Sequence, residues 1–293
     1  MLPELEQWKN DGDWINVGTH RIFVRQAGAG DDLLLVHGYP TSSFDFAALW
    51  SDLTARYRVT TLDMLGMGFS DKPWQTYSVA EHADVFEAAL SHFSVSDTFV
   101  LAHDLGDTVV QELLARRLDT PDAGLSQLRA VALLNGGLFA GVYRPRPIQH
   151  ILSSPLGHVI GPLLPKFAVL GALKSVFSAK HPPSDRTLEQ CWQLITYGGG
   201  KRVAHLVGRF NSEREKFADR FAQALVRSPA PLRFINGSDD PNSGAHMADH
   251  YQQVIPNADV VRLPGIGHWP QIEAPDAVLA ATVEFFDRFG RSK

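Results

Sequence analysis

Short apolar runs separated by amphipathic stretches set the tightest limit on how this chain can fold. Leu33–Val36, Val59–Leu62, Thr98–Leu101, Ala130–Leu134, Leu232–Ile235 and Asp259–Leu263 are each four to five residues long. A strand with one wet face alternates apolar and polar residues. A near-continuous apolar run is the mark of a strand covered on both faces, as in a parallel sheet between two helical layers. Only Ile22–Gln26 alternates, and it reads as a strand of a different kind. Phe44–Ala55, Val79–Phe93, Leu105–Leu118, Gly244–Val254 and Ala277–Phe289 carry helical patterns between the runs. Strand–helix alternation of this sort predicts an α/β fold with a mostly parallel central sheet flanked by helices.

The rhythm breaks after Asn135. From 136 to 225 no buried strand is evident; Leu188–Tyr197 and Ser212–Val226 are the clearest helices, and Gly198-Gly199-Gly200 reads as a hinge or turn. The chain therefore divides into an α/β core, 1–135 and 226–293, and an inserted helical cap, 136–225. A length of 293 residues suits one such domain with an insertion.

The run Thr98–Leu101 leads into Ala102-His103-Asp104-Leu105-Gly106-Asp107, and a helical pattern starts at once. A sharp strand-to-helix turn needs small residues two places either side of its central residue, here Ala102 and Gly106. Asp104 at the centre is either a helix N-cap or a nucleophile. Three further motifs favour the nucleophile. His37-Gly38-Tyr39-Pro40 follows one buried run, Gly237-Ser238-Asp239-Asp240 a second, and Gly265-Ile266-Gly267-His268-Trp269-Pro270 a third. Nucleophile, acid and histidine, each after a strand and in that order, make a triad.

With these motifs the sequence resembles the α/β-hydrolase superfamily along nearly its whole length. Within it, the chain resembles the aspartate-nucleophile branch of epoxide hydrolases and haloalkane dehalogenases. The segments His37–Phe46, Asp63–Pro73, His103–Asp107, Asn135–Phe139 and His268–Pro275 look most like the mesoderm-specific transcript protein group. The resemblance implies Asp104 as nucleophile, His268 as base and Asp240, rather than Asp239, as the acid that orients it. It also implies an oxyanion hole made by the N–H groups of Tyr39 and Leu105. Asp63 and Ser70 would brace a loop.

Two departures bear on the substrate. Haloalkane dehalogenases grip the halide with a tryptophan directly after the nucleophile, and fluoroacetate dehalogenases carry arginine there. This chain has Leu105, with no side-chain donor. Epoxide hydrolases protonate the opening oxygen with two cap tyrosines, yet the position aligned with one of them holds Phe210. Tyr197 is the first choice for that proton and Tyr39 the second. Tyr143, Trp192 and Phe210 complete the candidates for substrate or leaving-group contacts. The leading expectation is a cofactor-independent, metal-free hydrolase that forms a covalent ester, epoxide hydrolase-like and acting on a small apolar organic substrate. The apolar run Ile148–Phe177 would roof its cavity. Dehalogenation, hydrolysis of another ester, or ligand sensing on a hydrolase scaffold are the alternatives.

Charge and composition exclude other classes. A net charge of −5 with no basic cluster offers no footprint for nucleic acid. His246 and His250 have the spacing of helical metal ligands but no third ligand nearby, and read as an exposed helical face. Proline, His158 and Lys166 interrupt the most apolar stretch, so it does not read as a membrane span. The single cysteine, Cys191, and an N-terminus without a secretory pattern lead to the expectation of a cytoplasmic protein. A homo-oligomer is left open.

Overall fold

Eight strands form one sheet in this computed structural model, which describes residues 1–121, 123–146, 149 and 157–290, the side chains of 158 and 159 excepted. They are β1 (Asp13–Val17), β2 (His20–Ala27), β3 (Asp32–Val36), β4 (Arg58–Leu62), β5 (Asp97–His103), β6 (Gln127–Leu134), β7 (Leu232–Gly237) and β8 (Asp259–Leu263). Their spatial order is β1-β2-β4-β3-β5-β6-β7-β8. β1 and β2 pair antiparallel, as do β2 and β4, and every other pairing is parallel.

Successive residues of the central strands point to opposite faces. Val36, Val100 and Leu133 join one core with Phe86, Val109 and Leu113. Leu35, Leu101 and Ala132 join a second core with Leu49, Phe285 and Phe286 on the other side. Both faces are dry, which is why these strands are written as apolar runs. Each fully buried Leu, Val or Phe contributes about 1.5–3 kcal/mol to holding the layers together.

Parallel pairing sends the C-terminal ends of β3, β5, β6, β7 and β8 to one edge. His37, Asp104, Asn135, Asp240 and His268 all follow those ends within a few residues. Between β6 and β7 the described residues form helices and loops only: Gly157–Leu163, Lys166–Lys174, Asp185–Thr196, Gly200–Val207, Phe210–Lys216 and Ala218–Val226. The last of these packs on the core helix Leu105–Asp119, burying Phe221, Ala224 and Leu225. Residue 148 and residues 150–156 of the expected apolar roof lie outside the described residues.

The structure adds elements that periodicity did not reveal. Helix Pro3–Asn10 and strand β1 wrap the sheet edge, with Leu5 and Trp8 buried against Phe23, Phe69 and Leu194. Ser212–Val226, expected as one helix, is two, broken at Phe217, whose φ/ψ of −108°/24° leaves the helical region. At the triple glycine, Gly198 and Gly199 have positive φ and Gly200 opens a helix. Among the described residues no helix is long and apolar enough to cross a membrane.

Candidate active site

β5 pairs with β3 as far as Ala102 and with β6 as far as His103, and the chain then turns into helix Leu105–Asp119 within one residue. That residue is Asp104, with φ 52° and ψ −110°. A non-glycine residue at positive φ is strained, and the strain is held here by packing on either side. Gly106 permits it: a Cβ there would stand 2.3 Å from the carbonyl oxygen of Val36. Gly38 permits the approach of the neighbouring loop, since its Cβ would stand 2.7 Å from Cβ of Asp104. The Tyr39 N–H donates to Asp104 Oδ2 at 3.0 Å. Leu105 begins the helix, so its N–H is one of the four that no intrahelical carbonyl can satisfy.

His37 holds the Gly38–Tyr39 loop in register. Its Nδ1 donates to the Gly38 carbonyl at 2.7 Å and its Nε2 accepts the Met64 N–H at 2.9 Å. That pattern requires a neutral ring, in keeping with burial, which lowers its affinity for a second proton. Asp63 braces the same side. Its carboxylate accepts from the N–H and Oγ of Ser43 and from the Phe69 N–H, while Ser70 Oγ donates to the Asp63 carbonyl.

His268 Nδ1 lies 2.8 Å from Asp240 Oδ2, and its Nε2 stands 3.9 Å from Asp104 Oδ1. Asp239 instead accepts the Gly265 N–H and closes a turn. Burial alone would strip the proton from His268, but the Asp240 and Asp104 carboxylates outweigh it and lift the imidazole to about 9. Burial likewise disfavours the Asp240 anion. His268, the Asn242 N–H and the Ser243 hydroxyl more than offset this, so its pKa falls below the usual carboxylate value.

Several residues that hold these groups have no role legible in the sequence. Asn135 donates through Nδ2 to Asp240 Oδ2 at 3.0 Å and to the Gly237 carbonyl at 2.9 Å, and its Oδ1 accepts the Gly237 N–H. Ser243 Oγ donates to Asp240 Oδ2 at 2.7 Å. His103 Nε2 donates to the His268 carbonyl at 2.8 Å. Glu273 accepts the N–H groups of Gly267, Trp269 and Ser178, tying the histidine loop to the segment that follows helix Lys166–Lys174. Asn135 closes a buried strand just as Asp104 follows one, and that position was the available signal.

A cleft of about 120 Å³ opens above Asp104 and His268. That is roughly ten times what one water needs by the same measure. Its wall includes Leu164, Ala168, Val169, Ala172, Leu173 and Val176, so the described part of the expected roof does face the cavity.

The candidate leaving-group residues divide sharply. Tyr39 lines the cleft. Phe210 is buried behind it, ring centroids 5.8 Å apart. Tyr143 lies just outside, its hydroxyl accepting from Gln149 Nε2 at 2.9 Å and Asn242 Nδ2 at 3.0 Å. Tyr197 does not reach the cleft. Its ring meets Phe69 edge-on at 4.9 Å and lies under the ammonium groups of Lys9 and Lys72. Trp192 lies under Lys166 and Lys201, outside the cleft. The expectation for Tyr197 fails because its helix ends at Thr196, and the following turn directs the ring toward the N-terminal helix. His246 and His250 are half-buried rather than exposed: His246 Nε2 donates to the Asn242 carbonyl, and His250 packs on Phe139.

A sheet of this order, with a strained strand-to-helix elbow at Asp104 and a histidine bonded to a buried aspartate beside it, is the arrangement of the α/β-hydrolase fold. Residues 32–275 match the family model for the alpha/beta hydrolase fold, and the chain belongs to that family. It is 39% identical over 284 residues to LipZ of Mycobacterium tuberculosis, named as a hydrolase, covering 96% of this chain and 97% of that one. The human mesoderm-specific transcript homolog protein is 35% identical over 303 residues, 99% of this chain and 90% of its own. A solved alpha/beta hydrolase fold protein from Burkholderia ambifaria superposes with a TM-score of 0.79 at 26% identity, covering 93% and 97%.

Proposed function

We propose that this hydrolase works through a covalent ester on Asp104 and that its substrates are epoxides bearing apolar substituents. One observation carries the reading. Asp104 sits at the elbow with Oδ2 on the Tyr39 N–H, while His268 stands 3.9 Å from Oδ1, too far to be its hydrogen-bond partner. A carboxylate needs no base to become a nucleophile, so the histidine is free for the second step.

In the first step Oδ1 attacks a ring carbon of the epoxide. The carbon–oxygen bond opens and the departing oxygen takes a proton. With Tyr197 not among the cleft-lining residues, the phenol of Tyr39, a residue of that lining, is assigned as the donor. In the second step His268 takes a proton from water as that water attacks Cγ of Asp104. Negative charge gathers on Oδ2, where the Tyr39 and Leu105 N–H groups oppose it; one such donor is typically worth about 3–4 kcal/mol. Asp240 stabilises the imidazolium. On collapse the ester alkoxide leaves with the proton held by His268, the proton left on the Asp104 carboxyl returns to the Tyr39 phenolate, and the diol departs with carboxylate, imidazole and phenol restored.

The raised affinity of His268 for its proton fits this order. Asp104 is one of the charges that raise it. Esterification removes that charge, which lowers the imidazole pKa and leaves more of the ring neutral, able to accept a proton when a base is required. Halide release is disfavoured by the donors at hand. Leu105 offers none, and the Trp269 indole faces Asp45 Oδ2 at 3.4 Å.

A single turnover in H₂¹⁸O, followed by mass spectrometry of the peptide containing Asp104, tests the proposal. The peptide should gain one heavy oxygen, and His268→Gln should accumulate the ester. Turnover with an unlabelled peptide would replace nucleophilic attack by general-base hydrolysis. No turnover across a panel of epoxides, haloalkanes and esters would favour a binding protein.

A further inference from the structure

The cleft is not apolar throughout. Arg146, Gln149 and Asn242 belong to its lining together with Leu164, Ala168 and Val169. The Arg146 backbone N–H donates to Gln149 Oε1 at 2.7 Å. Among the described residues its guanidinium makes one hydrogen bond, a long one of 3.4 Å to Ser175 Oγ. No ion pair among the described residues involves it, and residues 147–156, which follow it, contain no Asp or Glu. A guanidinium carries a fixed positive charge and a planar fork of N–H donors matched to an oxyanion. Carried by a residue of the cleft lining and without an acidic partner among the described residues, it is a subsite for such a group.

We infer that the substrate carries a carboxylate, held by Arg146, on an apolar chain that lies along the wall from Val176 back to Leu164. Ser175 follows the helix Lys166–Lys174, so its contact with Arg146 sets the charged end of the cleft there. Ala168, Val169, Ala172 and Leu173 then form a continuous stripe on that helix, at the i, i+1, i+4, i+5 spacing of one helical face. A single guanidinium balances one negative charge, which favours a carboxylate over a dianionic phosphate ester. This inference rests on the cleft above Asp104 being the substrate site, and it narrows the substrate to an epoxide with an acidic end. Gln149 and Asn242 orient that end through the hydroxyl of Tyr143, to which both donate.

Isothermal titration with two unreactive probes of equal chain length, decanoate and decan-1-ol, separates the charge from the chain. The full-length protein should bind decanoate at least about tenfold more tightly, the difference expected of a charge-assisted hydrogen bond. Arg146→Met should abolish the preference while leaving decan-1-ol within about twofold. Arg146→Lys, which keeps the charge but loses the fork, should retain part of it. Arg146 is half-exposed and on a loop, so the melting temperature of both variants should match the parent, showing that the fold is intact. Equal binding of the two probes, or a preference that survives Arg146→Met, overturns the inference. The heavy-oxygen experiment reads the Asp104 ester independently. Decanoate preference without label leaves the Arg146 subsite standing and removes the ester, and label without preference does the reverse.

Discussion

His268 Nε2 lies 3.9 Å from Asp104 Oδ1, whereas Nδ1 of the same ring lies 2.8 Å from Asp240 Oδ2. The imidazole is thus bonded to the Asp240 carboxylate and only faces that of Asp104. An ion-pair geometry of this kind raises the histidine without committing it to either proton transfer.

A first prediction follows for the titration of His268. Asp104→Asn removes one of the charges that hold the imidazole at about 9, so its pKa should fall in that variant. The proposed ester state lacks the same charge, and on that mechanism its hydrolysis needs neutral His268. Single-turnover hydrolysis should therefore accelerate as pH rises, with a midpoint below about 9. NMR titration of the ring in the parent and in Asp104→Asn measures the shift directly; an unchanged midpoint would remove Asp104 from the electrostatics of the base.

The phenols of Tyr39 and Tyr143 should separate in kinetics. Tyr39 lines the cleft, and Tyr143 stands behind Gln149 and Asn242. Burial, with Asp104 nearby, raises both phenols above the ordinary value, so both keep their protons. Tyr39→Phe should slow ester formation by about 10²-fold or more, the usual worth of a placed proton donor, and leave ester hydrolysis unchanged. Tyr143→Phe should cost less than about tenfold. Rapid-quench measurement of the two steps decides the matter, and a larger effect at Tyr143 would transfer the role to it.

Gly106→Ala tests the elbow. The added methyl would meet the Val36 carbonyl oxygen at 2.3 Å and that of His37 at 2.7 Å, both backbone atoms of the adjoining strand and loop. Overpacking of this kind costs about 1–3 kcal/mol and sometimes more. Urea unfolding should show that loss, and turnover should fall further because Asp104 and the Tyr39 N–H can no longer keep their spacing. A variant with parental stability and rate would mean that the turn has room to spare.

Asp45 offers a pH effect of opposite sign to that of an ordinary acid. It is buried, with Thr41 Oγ1 and the Trp269 indole donating to Oδ2, and burial lifts it to about 7. Its folded pKa exceeds the unfolded one, so the native state binds more protons between about 4 and 7 and loses stability as pH rises through that window. The loss amounts to roughly 2–4 kcal/mol when complete. Asp45→Asn removes it. The variant should gain stability relative to the parent between pH 5 and pH 8, as read from urea midpoints. A constant difference at the two pH values would show that Asp45 does not titrate in that range.

The sequence by itself determined the layers, the elbow and the order in which Asp104, Asp240 and His268 follow their strands. A strand dry on both faces must be written as an apolar run, and a turn as sharp as that at Asp104 must be flanked by small residues; both constraints are local and therefore legible. Helix Pro3–Asn10 and β1 were not legible, because their burial depends on Phe23, Phe69 and Leu194, residues distant in the chain. The supports of Asp240 were hidden for the same reason: Asn135 reaches it across 105 positions. Tertiary structure alone placed Tyr39 in the cleft and Tyr197 against Phe69 and Lys9, since the direction of a side chain beyond the end of a helix is set by what packs on it. It alone brought Arg146 into the wall beside Asn242, because a loop residue has no periodicity to betray which surface it will face.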